Sequence, residues 1–181
     1  MAFDEKGVLK LLADPATQRK AFEQIVAQYG EQLYWKIRRI VLVHEDTDDV
    51  LQNSFVKAWI NLPDFRGQSK IATWLYRIAI NESLDFLRKK KHLQGTSMDE
   101  AAGVASMLLA DEYFDGDKAQ AILQEAIATL PDVQRTVFNL RYYDNMKYSE
   151  MSQMLKTSEG ALKASYHHAV QKVTAYVNAH K

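Results

Sequence analysis

The chain has 181 residues, 47% of them apolar and 25% charged, which suits one large or two small globular domains. Its 23 Lys/Arg and 23 Asp/Glu cancel and it has no cysteine, which excludes disulfides, thiolate metal sites and cysteine nucleophiles and fits a reducing compartment. No apolar run approaches the roughly 18 residues that span a bilayer, and Met-Ala-Phe-Asp-Glu-Lys at the start is no signal peptide, so a cytoplasmic protein is expected.

The neutral total hides a pattern. Residues 1–91 carry 15 Lys/Arg and 12 Asp/Glu, residues 92–117 carry six Asp/Glu and no Lys/Arg, and residues 118–181 carry eight Lys/Arg and five Asp/Glu. Two mildly basic segments flank an acidic connector, and it is local charge that a phosphate meets. With seven Gly, three Pro and apolar residues at helical spacing nearly throughout, the fold class is all-α: two small helical domains and a linker.

In chain order, Asp14-Pro15 predicts a helix start with Pro in the first turn. Phe22, Ile25, Val26, Tyr29, Leu33, Ile37, Ile40 and Val41 then mark one apolar face that continues through Gly30. In His44-Glu-Asp-Thr-Asp-Asp49 the acids gather where the next helix begins, and they suit its positive dipole end. Val50, Leu51, Phe55, Ala58, Trp59 and Leu62 are its inward face, Leu62-Pro63 ends it, and Asp49, Gln52 and Asn53 share the other face. A metal or acid–base site at His44 and these acids lacks a second nearby histidine, so a solvated helix N-terminus is preferred; no catalytic residue, metal or cofactor is expected.

The stretch Phe65–Lys91 opens with Arg66-Gly67-Gln68, and Ser69 is placed to cap a helix. From Lys70 to Lys91 there is no Gly or Pro for 22 residues, which is about 33 Å of helix. Ile71, Trp74, Leu75 and Ile78 form one apolar stripe; Tyr76, Ile80, Leu84 and Leu87 form another. A helix apolar on two sides is packed on two sides. One polar stripe remains, Lys70, Thr73, Arg77, Asn81, Asp85 and Arg88, and the segment ends in Arg88-Lys-Lys-Lys91. A core helix with one polar face, a glycine loop at its start and a basic run at its end points to nucleic acid.

Residues 92–117 are the linker, with a turn of helix predicted at Val104 to Ala110. Lys118–Thr129 is a helix with Ala121, Ile122, Ile127 and Leu130 inward. Leu130-Pro-Asp-Val-Gln-Arg starts the next, with Pro at its first position and Val133, Val137, Phe138 and Leu140 as core. After the Asp144-Asn145 turn, Tyr148–Leu155, a Lys156-Thr-Ser158 connection and a last helix from Glu159 make a helix-turn-helix pattern. In that last helix Leu162, Tyr166, Ala169, Val170 and Val173 face inward, and Lys163, His167 and Gln171 face outward beside His168.

Four blocks in this order and spacing resemble a bacterial RNA polymerase sigma factor of the extracytoplasmic-function class: Asp48-Asp-Val-Leu-Gln-Asn-Ser-Phe-Val-Lys-Ala-Trp59, Phe65 to Asn81, Leu130 to Phe138, and Tyr148-Ser-Glu-Met151. The resemblance covers about 20–91 and 118–177 and implies a non-enzymatic factor that binds core RNA polymerase and promoter DNA. It implies an N-terminal domain at 1–91, an acidic linker at 92–117 and a C-terminal helix-turn-helix domain at 118–181. Core-polymerase binding falls on Asp49, Gln52 and Asn53. Binding of the −10 element falls on Phe65, Arg66, Gly67, Gln68, Ser69, Arg77, Asn81 and Arg88, with Phe65 and Asn81 supplying the aromatic wall and the amide of a pocket for an unstacked base. Binding of the −35 element falls on Lys163, Ser165, His167 and His168.

Members of the class are often held by a membrane-linked anti-sigma factor. Lys156 stands where the family usually has Gly, and Ser165 and His168 replace two arginines, which weakens the phosphate grip there. The alternatives are a free-standing helix-turn-helix regulator, which has no use for the Asp49 face and the 65–81 block, and a helical hydrolase, which lacks convergent ligands.

Overall fold

A computed structural model describes residues 3–94, 103–110 and 116–180, and among these there are helices and turns but no strand, as the periodicity predicts. The connector acids at 99, 100, 111, 112 and 115 lie outside the described residues. The chain divides into two units, one of Met1–Arg38 with His44–Asp85 and one of Arg39–Val43 with Phe86–Lys181.

The first unit begins with a short helix, α1 (Glu5–Ala13). Asp4 caps it, its carboxylate accepting from the Gly7 amide at 3.0 Å, and Val8 and Leu12, one turn apart, are its buried residues. At its far end the Thr17 hydroxyl donates to the Leu11 carbonyl at 2.8 Å and the Gln18 amide to the Leu12 carbonyl at 3.1 Å. Those carbonyls would otherwise be orphans of the last turn. Pro15 therefore sits in a turn, where the Asp14 carboxylate accepts from Ala16 N at 2.9 Å, and not in the first turn of the next helix, which starts three residues later.

Helix α2 (Gln18–Val41) runs unbroken through Gly30, where a Cβ would meet nothing within 4 Å. Its expected apolar face is buried at Phe22, Ile25, Leu33, Ile37, Ile40 and Val41. The chain turns at Leu42, with φ at 76°, and α3 (His44–Ile60) follows. The rings of Phe55 and Trp59 meet Phe22 edge-on, at 6.4 and 5.1 Å between centroids. A short 3₁₀ turn at Leu62–Asp64 leads to the loop and then to α4 (Ile71–Gln94). Both expected apolar stripes of α4 are inward: Ile71, Leu75, Tyr76, Ala79, Ile80 and Leu87 are buried. Burying each large aliphatic among them stabilises the unit by about 1.5–3 kcal/mol.

In the second unit α5 (Val104–Ala110) buries Leu108 and packs on α6 (Lys118–Ala128), which Asp117 caps. Then come α7 (Asp132–Tyr142), α8 (Tyr148–Leu155) and α9 (Glu159–Ala179). Ala126, Ile127, Leu130, Phe138, Ala169 and Val173 form their core. Pro131 is the N-cap of α7, one residue before the position expected for it. Val133, expected in the core, is 58% exposed, while Arg135, Thr136 and Asn139 are buried.

The reason is polar. The Arg135 guanidinium donates to the Ile40 carbonyl at 2.9 Å, to Leu130 at 2.9 Å and to the Asp132 carboxylate at 2.8 Å. Asn139 donates to the Arg39 carbonyl at 3.2 Å, and Asp132 also pairs with Lys91. The last carbonyls of α2 are thus capped by α7, with a cation at the negative end of the helix dipole.

Replacing Arg135 by Met removes these donors and leaves buried carbonyls unpaired, an expected loss of about 2–4 kcal/mol. Chemical denaturation of the full chain reads it. An unchanged midpoint would mean that the carbonyls of Ile40 and Leu130 find other donors.

Candidate nucleic-acid interface

The polar stripe of α4 is where its two packed flanks leave room. Lys70, Thr73, Arg77, Asn81 and Arg88 are exposed and Asp85 is half-buried. Beside the stripe, Lys57 of α3 pairs with Glu82, and the buried Ser83 hydroxyl donates to the Ala79 carbonyl at 2.7 Å. Lys36 of α2 lies 4.0 Å over the ring of buried Tyr76. The two aromatics in its first two turns are structural in part: Tyr76 is buried, and Trp74 is half-buried.

The loop before α4 is shaped at both ends. Phe65 N donates to the Leu62 carbonyl at 3.1 Å, and the Phe65 ring stacks on Trp74 with centroids 4.6 Å apart. Gly67, at φ 68°, takes a conformation that a side chain would strain. Arg66, Gly67 and Gln68 are exposed and Ser69 is half-buried. Ser69 was expected as the cap of α4, yet the helix starts at Ile71, and the Ile71 amide is bound at 2.8 Å by the Glu5 carboxylate of α1. A cap 66 residues upstream has no local signature.

Asn81 is seven residues beyond Trp74 on the same face, about 10 Å along the helix axis. An aromatic platform with a loop and an exposed amide two turns on can address separate nucleotides of one strand. The basic run continues this face with Arg88 and Lys89 exposed, while Lys91 is paired with Asp132.

On α3, Asp49, Gln52 and Asn53 are all exposed, as their spacing predicts. Val56 and Ile60 continue that surface at 56 and 66% exposure, and the edge of Trp59, expected inward, is also open. His44 hydrogen-bonds Tyr34 at 2.7 Å and lies 3.5 Å from Asp48. Among the described residues no group of three or more His, Asp or Glu could hold a metal ion.

In the helix-turn-helix, Lys163, His167 and His168 are exposed and Ser165 is half-buried. Ser158 caps α9, accepting from Ala161 N at 3.3 Å. Lys163 lies 5.6 Å and Arg141 5.2 Å from the ring of Tyr148. Lys156 holds the left-handed turn conformation, φ 52°, that glycine adopts without strain.

The groups whose protonation the fold shifts are tyrosines. Burial pushes Tyr29, Tyr143 and Tyr166 up, and the hydrogen bond to Glu125 pushes Tyr176 up to about 12. Each is therefore a neutral phenol at neutral pH.

Residues 25–93 match the family described as Sigma-70 region 2, and residues 120–173 match Sigma-70, region 4. Among curated relatives, the ECF RNA polymerase sigma factor SigW of Bacillus subtilis is 31% identical over 159 residues, which are 81% of this chain and 83% of that one. The RNA polymerase sigma-H factor of Pseudomonas aeruginosa is 29% identical over 81% of this chain and 80% of its own. Among solved structures, CnrH in complex with the cytosolic domain of CnrY is 25% identical, with a TM-score of 0.67 over 98% of this chain and 99% of that one. A sigma factor RpoE solved with the anti-sigma factor NepR from Bartonella quintana shares the fold, with a TM-score of 0.66 at 17% identity over 90% of this chain and 99% of that one.

Proposed function

Since this chain belongs to the extracytoplasmic-function sigma factors, which bind core RNA polymerase and direct it to promoters, we propose which of its surfaces do so. The observation that carries the proposal is the exposed polar stripe of a helix packed on both flanks, opening at a glycine loop and ending in a basic run.

Asp49, Gln52 and Asn53 of α3 bind the polymerase clamp. The Phe65–Ser69 loop takes an unstacked base of the −10 element, Arg77 and Asn81 read the next positions of the same strand, and Arg88 meets its phosphates. An amide offers both donor and acceptor to a base edge. Lys163, Ser165, His167 and His168 of α9 face the −35 element. The factor contributes binding energy and no covalent step, and it works in the cytoplasm; among the described residues no helix is long and apolar enough to cross a membrane.

Functionally the chain divides into 1–91, the connector 92–117 and 118–181, a division supported by the two family matches falling on either side of the connector. Limited proteolysis of the free protein is expected to cut first between His92 and Asp117; a first cut inside either half would contradict it. We also infer a membrane-linked anti-sigma partner, supported by the similar CnrH having been solved in complex with the cytosolic domain of CnrY. Solubilised membranes from the native cells should then suppress run-off transcription by this factor, and undiminished transcription would remove the partner.

The DNA assignments are tested in one assay, run-off transcription with core polymerase. A base-edge pair is worth about 1–3 kcal/mol, so Asn81→Ala should lower transcription from duplex promoters about tenfold while binding core polymerase normally. Arg88→Ala should weaken promoter binding across sequences and flatten its salt dependence. Asp49→Ala or Gln52→Ala should weaken polymerase binding with helicity unchanged. Wild-type behaviour of Asn81→Ala, base preference included, would reduce Asn81 to a structural residue.

A further inference from the structure

We infer that Glu5 of α1 is a positioning residue for promoter opening, holding the −10 loop through the first amide of α4; the inference rests on the −10 assignment above. Its carboxylate accepts the Ile71 N–H at 2.8 Å, across 66 residues of chain. Ile71 is fully buried and follows directly on the loop, whose other end is pinned by Phe65 stacking on Trp74. The Lys70 carbonyl accepts from Trp74 N at 3.1 Å, so the residue joining loop to helix is fixed by the same turn. Between these anchors only Arg66–Ser69 are left to meet a base.

Glu5 can serve because α1 is itself held at both ends. Asp4 caps its start, Val8 and Leu12 are buried, and its last carbonyls are taken by Thr17 and Gln18. The helix lies ahead of the segment that matches Sigma-70 region 2, residues 25–93. A carboxylate seated at the helix N-terminus stabilises the first turn. It also closes that terminus to a DNA phosphate, which would otherwise find a ready anion site there. The strand then meets the loop's exposed groups and not the helix end.

The test uses holoenzyme assembled from the full chain and core polymerase, on a duplex promoter and its single-base −10 variants. Glu5→Ala should slow open-complex formation about three- to tenfold, the range of a lost N-cap, and flatten the −10 base preference. Its affinity for core polymerase should stay within about twofold, because that binding uses α3. Glu5→Gln should rescue both readouts, since an amide oxygen accepts the same bond. Glu5→Asp, too short to reach, should behave like Glu5→Ala and serves in its place if the alanine variant folds poorly.

Wild-type opening and base preference in Glu5→Ala or Glu5→Asp would overturn the inference. So would equal losses of polymerase affinity and opening, which mark a merely structural residue. Asn81→Ala and Gln68→Ala run in parallel. If those two also leave base preference intact, the −10 assignment itself fails; if they flatten it and Glu5→Ala does not, only the role of Glu5 fails.

Discussion

Everything else in the first unit follows from α4 being packed on two flanks while its third stays polar. Ile71 and Leu75 on one side and Tyr76 and Ile80 on the other are buried, so the helix cannot roll. Arg77 and Asn81 therefore keep one heading, set by core packing. Side chains ordered before binding lose less entropy on binding. The cost of opening a duplex, a few kcal/mol per step, leaves little to spend on ordering the reader as well.

Long-range caps tie the helix ends to distant parts of the chain. Glu5 closes the start of α4, Thr17 and Gln18 close the end of α1, and Arg135 with Asn139 closes the end of α2. Each satisfies orphan backbone groups that would otherwise need water. The Arg135 cap is charged and surrounded by acceptors, with Asp132 shared between Arg135 and Lys91. Lys91 belongs to the basic run of α4.

Periodicity was enough for the helices with one clear apolar face, and so for the exposure of Asp49, Gln52, Asn53 and Asn81. It failed where the deciding partner is far along the chain. Val133 looked like a core residue because Leu130 and Val137 lie at helical spacing from it, but α7 turns Arg135 and Asn139 inward to reach carbonyls 95 and 100 residues away. Ser69 looked like a cap because caps are usually local, and Glu5 takes that place. Asp14-Pro15 looked like a helix start, although Asp14 bends the chain into a turn that ends α1.

The central claim is that this chain selects promoters as part of RNA polymerase, and run-off transcription from a fragmented genomic DNA pool tests it most directly. With core polymerase and this factor, transcripts should start at a small set of sites sharing a −10 and a −35 motif, and neither component alone should produce them. Tight sequence-specific binding to duplex DNA by the chain alone, with no factor-dependent start sites in the pool, would contradict the account.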